Sequence, residues 1–376
     1  MLLRYGTSEN GGIVKKAQIY TRDEHQIDPG GIDRDAAWVV GRLRKAGAHA
    51  YIVGGAVRDL LAGRKPKDFD VATDAHPHVI KRMFRAARII GRRFRIVHVY
   101  TARDKFIEVT TFRSTKTEDS NNLFGTMEED AQRRDFSINA LYYCPFEEQL
   151  IDYVGGFTDI QRKRLSTLIP ADVSFAEDPV RMIRAVKYAS LMGFPVPFGM
   201  ARLITKLREL VLRCSRERVT EEVYKILSSG AAADILTLLH RLRLFDVIFP
   251  ALAEYLQKDR KKFNESGLFE RAAALDERTR SGLALPREEM FGFIFHDVIL
   301  AQSDIWIDPE PALQIQQTIK ELSYPLFPSK RDLGVAGRIL SAEYWRLTGK
   351  HAGRPVRRRR RRSGSHSRGH GTGKGA

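Results

Sequence analysis

Residues 51–73 read YIVGGAVRDLLAGRKPKDFDVAT, and this stretch determines the fold of the first domain. Its opening run, residues 51–53, is apolar and predicts a strand. Gly54 and Gly55 then allow the backbone to turn tightly and to approach a ligand without an intervening side chain. An amphipathic helix begins directly after them, and helix N-termini present free N–H groups that attract phosphate. The first half of the stretch therefore predicts a phosphate-binding turn between a strand and a helix.

The second half of the stretch carries two carboxylates. In the segment DFDVAT, the alternation of a strand places Asp68 and Asp70 on one face and points Phe69 into the core. Neighbouring carboxylates repel each other unless cations lie between them. Mg²⁺ is typically held by one or two carboxylates together with substrate phosphates. A solvated Asp-x-Asp beside an unrelated Gly-Gly turn is the alternative, but the adjacency of the two motifs favours one site for a nucleotide's phosphates and its metal ions.

Composition predicts a soluble globular protein of several domains. The 376 residues are 43% hydrophobic and 29% charged, which is enough for a substantial core. No stretch is apolar enough to span a bilayer, and the N-terminal sequence lacks the apolar run of a signal peptide. We therefore expect a cytoplasmic protein without a membrane partner. The two cysteines, Cys144 and Cys214, are expected to be free thiols in a reducing compartment.

The chain is strongly basic, with 63 Lys and Arg against 46 Asp and Glu and a formal net charge of +17. Such a balance suggests a polyanionic partner. Ten of the cations lie in residues 350–376, a segment without Asp or Glu, so the remainder still carries +7. This Arg/Ser/Gly/His-rich end is too polar to fold and is predicted to be a disordered arm that attracts phosphate backbones. A plain solubility tail is the alternative.

Periodicity separates a β-rich part of the chain from a helical part. Six short β-rich runs, interrupted by helical stretches, occur between residues 33 and 165, and beyond them apolar residues recur at three- and four-residue spacing. The predicted fold class is α+β, with a mixed sheet in the head and helices in the rest. The predicted segments are an N-terminal extension (1–32), the head (33–165), a helical neck (166–250), a helical body (251–349) and the disordered tail (350–376).

A third acidic residue follows in the run KFIEVTTF, residues 105–112. If this run is a strand, Ile107 and Val109 lie on one face and Glu108 lies on the other. In one interpretation Glu108 adds a carboxylate to the metal site. In the other it is a surface glutamate on a half-exposed strand.

The segment EEDAQRRDFSINALYY, residues 128–143, is predicted to be a helix. Asp135 and Asn139 are four residues apart and would share a helix face, next to Arg133 or Arg134. An Asp and an Asn can exchange hydrogen bonds with ribose hydroxyls, and an arginine can chelate triphosphate oxygens. A cluster in which Arg and Asp only cap each other is the alternative.

A second Asp and Arg pair opens the segment EDPVRMIRAVKY, residues 177–188. Asp178 and Arg181 would offer an acceptor beside a donor on one helix face. This order fits the exocyclic amine and ring nitrogen of adenine or cytosine and rejects guanine and uracil. Base size must then separate adenine from cytosine. The alternative is structural, because Asp178 is a good N-cap and Pro179 suits the first helical position.

These four motifs, in this order, resemble the class II nucleotidyltransferases, which comprise CCA-adding tRNA nucleotidyltransferases and bacterial poly(A) polymerases. The resemblance covers residues 50–190 and implies a polymerase-β-like head, two Mg²⁺ ions and ATP as a substrate. It implies that Asp68 and Asp70 are the metal ligands and, with Asp135, the catalytic residues. Where many relatives have a further arginine, this chain has Lys187, which keeps the charge but loses the bidentate fork. The nucleotide-binding residues implied are Gly54, Gly55, Arg58, Asp59, Arg133, Arg134, Asn139, Asp178, Arg181 and Arg184.

Residues 89–99, IIGRRFRIVHV, look like the signature that distinguishes bacterial poly(A) polymerases from their CCA-adding relatives. Their arginines are predicted to hold a primer phosphate or to narrow the pocket around adenine, and a basic strand edge that blocks aggregation is the alternative. Non-specific capture by the basic tail suits a polymerase that accepts many 3′ ends. The predicted RNA-binding residues are Arg92, Arg93, Arg95, Arg357, Arg358, Arg359, Arg360, Arg361 and Arg362.

The sequence therefore predicts template-independent adenylation of RNA 3′ ends, those of mRNA and other transcripts, from ATP. CCA addition to tRNA is the runner-up, and a catalytically inactive RNA-binding protein is the alternative from another class. RNA degradation machinery or an RNA chaperone is the expected kind of protein partner. Residues 114–124 are predicted to form a mobile loop that influences nucleotide handling. His296 and Asp297 resemble a hydrolase His-Asp pair, but no histidine at suitable spacing accompanies them, so they are interpreted as structural.

Overall fold

The computed structural model describes residues 2–7, 13–91, 95–103, 105–115, 124–257, 267–308 and 310–348. Several sequence predictions fall outside these ranges and stay predictions. They concern Arg92, Arg93, the arginine run at residues 357–362 with the rest of the tail, most of the loop at residues 114–124, and the linker after residue 257.

Over the described residues, the head is built on one mixed sheet of nine strands. In chain order these are β1 Leu2–Thr7, β2 Ile13–Tyr20, β3 Ala50–Val53, β4 Asp70–Thr73, β5 Ala87–Ile90, β6 Ile96–Ala102, β7 Lys105–Thr111, β8 Leu141–Cys144 and β9 Gln149–Asp152. They lie side by side in the order β1-β2-β9-β8-β3-β4-β7-β6-β5. The β4 and β7 strands are parallel, and every other neighbouring pair is antiparallel.

The six predicted β-rich runs all form strands, as β3 to β7 and β9. The sheet also contains three strands that the sequence analysis does not predict. Two of them, β1 and β2, lie in the segment interpreted as an N-terminal extension, and β2 pairs antiparallel with β9. The head's sheet therefore begins well before residue 33.

The third additional strand, β8, lies in the segment predicted to be one helix, and that prediction is wrong. The helix Met127–Gln132 is short, a single 3₁₀ turn Ser137–Asn139 follows, and Leu141–Cys144 is a strand. All four residues of β8 are buried, and the strand pairs with both β3 and β9. Its unbroken apolar run suits a central strand, and pairing on both sides outweighs the helical spacing of the preceding residues.

Helices cover both faces of the sheet and build the rest of the chain. The predicted helix at residues 33–46 is confirmed, since Asp33 caps it by accepting hydrogen bonds from the amides of Asp35 at 2.8 Å and Ala36 at 3.1 Å. The helices are α1 Arg22–His25, α2 Arg34–Lys45, α3 Gly55–Leu61, α4 Pro77–Met83, α5 Met127–Gln132, α6 Gly156–Gln161, α7 Ala171–Glu177, α8 Val180–Met192, α9 Phe198–Leu207, α10 Arg216–Leu227, α11 Ala232–Arg241, α12 Phe245–Ile248, α13 Pro250–Gln257, α14 Gly267–Arg280, α15 Met290–Leu300, α16 Pro311–Leu322 and α17 Lys330–Thr348. This division into a sheet-containing head and a helical remainder confirms the predicted α+β class.

A shared core fixes the helical part against the head. Phe136 and Ile138 follow the head's helix α5, yet they belong to the same buried cluster as the apolar residues of α8 and α10. The Phe136 ring packs edge-on against Tyr188 of α8, with ring centroids 5.7 Å apart. The helices α8 and α10 are therefore held beside the ends of β3, β4 and β8 that adjoin the Gly-Gly turn. In the described ranges, no helix is both long and apolar enough to cross a membrane.

Candidate active site

The Gly-Gly turn lies directly beside the second aspartate of the 51–73 stretch. Val53, the last residue of β3, pairs with Asp70, the first residue of β4. Gly54 has φ +70° and ψ −129°, a conformation that side-chain-bearing residues rarely adopt. A Cβ atom at this position would also lie 3.3 Å from Nη1 of Arg134. The turn therefore needs glycine, and it brings the free amides at the start of α3 next to a carboxylate.

Three carboxylates act on one another at this point. Asp70 and Glu108 are register partners on the parallel strands β4 and β7. Burial raises the pKa of Asp70 to about 6, and the negative charges of Glu108 and Asp68 add to that effect. Burial also raises the pKa of Glu108, with a further contribution from Asp68. Asp68 is exposed and lies two residues before Asp70, the first residue of β4, and the charges of the two carboxylates interact.

The carboxylates suit Mg²⁺, which prefers oxygen ligands. Among the described residues, no hydrogen bond reaches the Asp70 carboxylate, and the nearest cationic partner of Glu108 is His98, with Nε2 3.7 Å away. Burial lowers the pKa of His98, so this ring gives Glu108 little positive charge. Nor do the described ranges contain a group of three or more His, Cys, Asp or Glu side chains able to hold a metal alone. Asp68 and Asp70 could serve as carboxylate ligands of such an ion, with Glu108 beside them.

Asp135 and Asn139 meet, although they are not on one helix. The Asp135 Oδ1 atom accepts hydrogen bonds from Nδ2 of Asn139 at 3.1 Å and from the amide of Phe136 at 2.9 Å. Its Oδ2 atom forms an ion pair with Nη2 of Arg184 at 3.0 Å. The two side chains are close together, as predicted, but a 3₁₀ turn and not the face of an α-helix brings them together.

The guanidinium of Arg58 extends this network toward the Gly-Gly turn. It donates to Oδ1 of Asn139 at 2.8 Å and to Oδ1 of Asp59 at 2.8 and 2.9 Å. It also stacks over the Tyr188 ring, 4.7 Å from the centroid. Arg58 is 5% exposed. A side chain as enclosed as that of Arg58 positions its neighbours. Tyr188 was not among the predicted site residues, although it lies one helical turn after Arg184.

Arg134 and Arg133 lie on the other side of the turn. Arg134 forms an ion pair with Asp130 at 3.1 Å, donates to the carbonyl of Asn139 at 3.2 Å and stacks over the Tyr142 ring at 5.3 Å. The Tyr142 hydroxyl donates to the same carboxylate at 2.6 Å. Arg133 donates to the carbonyl of Ser114, at the start of the predicted mobile loop. Arg134 is thus a fixed positive charge beside Gly54 and Asp70, and Arg133 is tied to the loop.

Asp178 and Arg181, the predicted base-reading residues, contact different side chains. The backbone agrees with the structural alternative, because Asp178 is non-helical, Pro179 is helical and the Asp178 carbonyl accepts a hydrogen bond from the Arg181 amide at 2.9 Å, but the Asp178 side chain makes no capping bond. Its Oδ2 accepts a hydrogen bond from Nη2 of Arg218 on α10 at 2.7 Å, and its Oδ1 is buried without a hydrogen-bond partner among the described residues. Arg181 instead donates to Oγ of Ser174 at 3.0 Å and pairs with Glu177 at 3.5 Å. Arg218, absent from the sequence prediction, therefore holds the candidate base-reading carboxylate.

Lys187 has a structural partner. Its ammonium group donates to the Glu222 carboxylate on α10, and both side chains are 7% exposed. The pair links α8 to α10 next to Arg184. The Lys187 ammonium group needs only this one contact with a carboxylate. The bidentate hydrogen bonding of an arginine is therefore not required at this position.

Two predicted sites outside this cleft also have contacts. Arg95 faces His78, with Nη1 and Nε2 3.3 Å apart, at the exposed edge of the sheet. His296 lies between Asp297, at 2.9 Å, and Glu343, at 3.4 Å, within the helical body, where Arg271 also binds Asp297. The histidine is thus held by its neighbours, in keeping with its structural interpretation.

Known proteins resemble this chain in sequence and fold. The family described as "Poly A polymerase head domain" matches residues 50–166, and the one described as "Probable RNA and SrmB- binding site of polymerase A" matches residues 193–256. The chain is 31% identical to the Bacillus stearothermophilus CCA-adding enzyme, solved in complex with CTP, with a TM-score of 0.60 over 82% of this chain and 69% of that chain. The chain belongs to the poly(A) polymerase and CCA-adding enzyme family of nucleotidyltransferases. Membership confirms the resemblance seen in the sequence motifs.

Relatives in this family include both kinds of enzyme. Poly(A) polymerase I of Salmonella typhi is 36% identical over 293 residues, which is 74% of this chain and 63% of that protein. The CCA-adding enzyme of Geobacillus kaustophilus is 36% identical over 233 residues, which is 59% of this chain and 56% of that protein. The chain thus matches less than two thirds of the length of these relatives.

Proposed function

We propose that this chain adds adenylate to RNA 3′ ends, using ATP, without a template and with release of pyrophosphate. The observation that carries the proposal is the set of interacting carboxylates Asp68, Asp70 and Glu108 beside the Gly54 turn. Family membership supports nucleotidyl transfer as the reaction class. The basic charge of the chain and the matched RNA-binding family support RNA as the acceptor.

In this reaction the 3′ hydroxyl oxygen attacks the α-phosphorus of ATP. A new P–O bond forms, the bond between the α-phosphorus and the bridging oxygen breaks, the pyrophosphate takes the electron pair, and the hydroxyl proton passes to water. Bound by Asp68 and Asp70, Mg²⁺ would supply Lewis-acid stabilisation of the charge on the phosphates. The glycine turn lets the triphosphate approach the backbone, and Arg134 contributes positive charge next to it.

The neighbouring network holds the nucleoside. Arg58 and Arg184 fix Asn139 and Asp135, so that the polar side chains expected to contact ribose have a single arrangement. The buried Oδ1 of Asp178 lacks a donor among the described residues, and the amino group of adenine would satisfy it. Cytosine has the same kind of amino group, so pocket size must separate the two bases.

The choice between poly(A) and CCA products rests on the relatives. The match to poly(A) polymerase I of Salmonella typhi extends over 293 residues, against 233 residues for the Geobacillus kaustophilus CCA-adding enzyme, and this difference supports adenylation. CCA addition is the second candidate, because a similar solved structure is that of a CCA-adding enzyme in complex with CTP. RNA degradation machinery or an RNA chaperone as a partner remains a prediction.

An Asp68→Ala substitution tests the proposed reaction. Asp68 is exposed and precedes β4, so its loss should leave the fold intact while abolishing incorporation of AMP into RNA. Asp172→Ala, which removes another exposed aspartate from the helical neck, is the matched control and should retain activity. Thermal melts of both variants establish folding. Retained incorporation by the Asp68→Ala protein would contradict the assignment.

A further inference from the structure

One face of the sheet is solvent-facing over the three strands β7, β6 and β5. Residues of β6 and β7 alternate between buried and less buried positions, and the buried ones, such as Val97 and Val109, pack in the head's core. On the opposite face, register partners on four neighbouring strands form one row. The row consists of Asp70 on β4, Glu108 on β7, His98 on β6 and Arg88 on β5. The solvent-facing surface of β5 to β7 is therefore continuous with the carboxylates of the candidate active site.

Three aromatic rings lie on this surface beside the row. The Phe106 ring is stacked on the His98 ring, with centroids 4.0 Å apart and an angle of 11° between the planes. Tyr100 is the register partner of Phe106, and its ring centroid lies 5.8 Å from that of Phe106. The His98 ring covers one face of Phe106, and Phe106 is still 44% exposed. An exposed ring, held in place by two others and two residues before Glu108, offers a surface on which a further planar group can stack.

A cation lies at the far end of the row. Arg88 is exposed, and its guanidinium carbon is 5.7 Å from the centroid of the Tyr100 ring. No ion pair joins Arg88 to another of the described residues. Neighbouring strands are about 4.8 Å apart, so the backbone at Arg88 is about 10 Å from that at Glu108, two strands away. The surface thus carries negative charge at β4 and β7, positive charge at β5, and aromatic rings between them.

This combination fits a single strand of RNA. Proteins bind single strands by stacking bases on aromatic side chains and by pairing phosphates with cations. The charges also set the direction of the strand. Arg88 attracts phosphates and the carboxylates repel them, so the end of the strand beside Glu108 is the one that carries a hydroxyl group.

Sheet order separates this surface from the nucleotide's side of the cleft. The Gly-Gly turn, which is the candidate phosphate site, follows β3 on one side of β4. The aromatic rings lie on β6 and β7, on the other side of β4. A triphosphate at the turn and an RNA strand on the rings would therefore approach the carboxylates from opposite sides, as the leaving and attacking groups of an in-line transfer must.

We infer that the last base of the acceptor RNA stacks on Phe106 and that Arg88 binds a phosphate of the same strand, which places the 3′ hydroxyl beside Glu108. The inference rests on the proposed function, because it takes an RNA 3′ end as the acceptor. Phe106 and Arg88 are positioning residues in this arrangement, since they contact the strand away from the reacting atoms.

Kinetics of the full chain test the stacking role. The variants are Phe106→Leu, which keeps an apolar side chain without a ring, Phe106→Tyr, which keeps the ring, and the matched control Phe146→Leu. Phe146 is 58% exposed and lies between β8 and β9. We expect Phe106→Leu to raise the KM for RNA by about fivefold or more, the effect of losing one base–aromatic stack, with the KM for ATP within about twofold of the parent. Phe106→Tyr and the control should match the parent, and thermal melts establish that each variant is folded.

Two binding measurements need no catalysis. The first uses an oligouridylate that ends in 2-aminopurine, an adenine analogue whose fluorescence falls when it stacks. The parent and Phe106→Tyr should quench this fluorescence, and Phe106→Leu should not. The second measures the Kd of the RNA at several salt concentrations. Arg88→Gln should reduce the slope of log Kd against log salt by about 0.7, the value for one phosphate contact of a single strand, whereas Phe106→Leu should weaken binding without changing the slope.

Unchanged quenching and RNA affinity in Phe106→Leu would overturn the inference. A raised KM for ATP with an unchanged KM for RNA would overturn it as well and would assign the ring to the base of ATP. An unchanged salt slope in Arg88→Gln would overturn the phosphate contact. If the parent extends no RNA with any nucleotide, the proposed function fails, while the quenching and salt series still decide whether an RNA 3′ end binds on this surface.

Discussion

The guanidinium of Arg218 lies 2.7 Å from the carboxylate of Asp178 and holds one of its two oxygens. The other oxygen is buried and has no hydrogen-bond partner among the described residues. An unsatisfied buried acceptor is costly, so an amino group that reaches it gains binding energy that a carbonyl oxygen cannot. Under the proposed function, this relationship predicts that α10, and not only the helix that follows Asp178, contributes to base selection.

Replacing Arg218 should therefore weaken nucleotide selection. We expect Arg218→Gln to raise the KM for ATP by about tenfold or more, because Asp178 loses a charge-assisted contact of about 1.5–3 kcal/mol. Discrimination against GTP should also weaken, because the Asp178 carboxylate, no longer held by Arg218, can rotate away from the base. Arg202→Gln, which removes an exposed arginine from α9, is the control and should leave both quantities unchanged. Steady-state incorporation of each nucleotide measures the effect, and unaltered selectivity in Arg218→Gln would contradict it.

The paired carboxylates should destabilise the protein when no cation is bound. The folded-state pKa of Asp70, about 6, lies above its ordinary value of 3.8, so the folded protein retains a proton that the unfolded chain has released. Stability contributed by this group is therefore present below about pH 4 and is lost as the pH rises through 6. An Asp70→Asn variant should be more stable than the parent at pH 8 in EDTA, by up to about 3 kcal/mol, with the difference vanishing near pH 4.

Denaturant unfolding at the two pH values measures this difference. Added Mg²⁺ should raise the melting temperature of the parent but not that of Asp70→Asn. A variant that is less stable than the parent at pH 8 in EDTA would show that the Asp70 carboxylate has a stabilising partner, and it would refute the expected cost of burying this charge beside two other carboxylates.

The turn at Gly54 gives a sharper test of local geometry. Gly54→Ala must place a side chain at φ +70°, so it should cost about 1–3 kcal/mol of stability and sharply reduce activity by displacing the amides of the turn. Gly199→Ala is the matched control, because Gly199 lies in α9 with open space around its Cβ position and should be neutral or stabilising by up to about 1 kcal/mol. Full activity in Gly54→Ala would argue against the turn as the phosphate site.

The Lys187 and Glu222 pair predicts a strongly non-additive result. Glu222→Gln leaves a buried ammonium group without its counter-charge and should cost about 3–5 kcal/mol of folding stability, while Lys187→Met with Glu222→Leu should cost much less. Chemical denaturation of Lys187→Met, Glu222→Leu and the variant that carries both substitutions gives the coupling energy. Additive effects would mean that the pair does not act as a unit.

Local signals are enough to predict the first part of the site. The strand, the Gly-Gly turn and Asp70 follow one another within residues 51–73, so their relation depends on short-range geometry. The same holds for the six predicted strands and for the capped helix after Asp33. The chemistry of this stretch is fixed by residues that are close in the chain.

Relations across the sheet and between helices are not predictable in the same way. The strand Leu141–Cys144 exists because β3 and β9 pair on either side of it, which a local helical spacing cannot reveal. Arg218 reaches Asp178 only because α10 packs beside α8. The spacing of Asp178 and Arg181 predicts a shared helix face, whereas Asp178 precedes the helix and turns to another element. The missed residues are thus those whose partners are distant in sequence.

The nucleotide that the protein adds to different RNAs decides whether it is an adenylating enzyme. The full chain is incubated with Mg²⁺ and either a tRNA that lacks its 3′-terminal CCA or an unrelated RNA, with ATP or CTP supplied separately. We expect extension of both RNAs with ATP and of neither with CTP, seen as ladders of added adenylates. CTP incorporation restricted to the tRNA would contradict adenylation in favour of CCA addition, and RNA binding without extension by either nucleotide would contradict catalysis altogether.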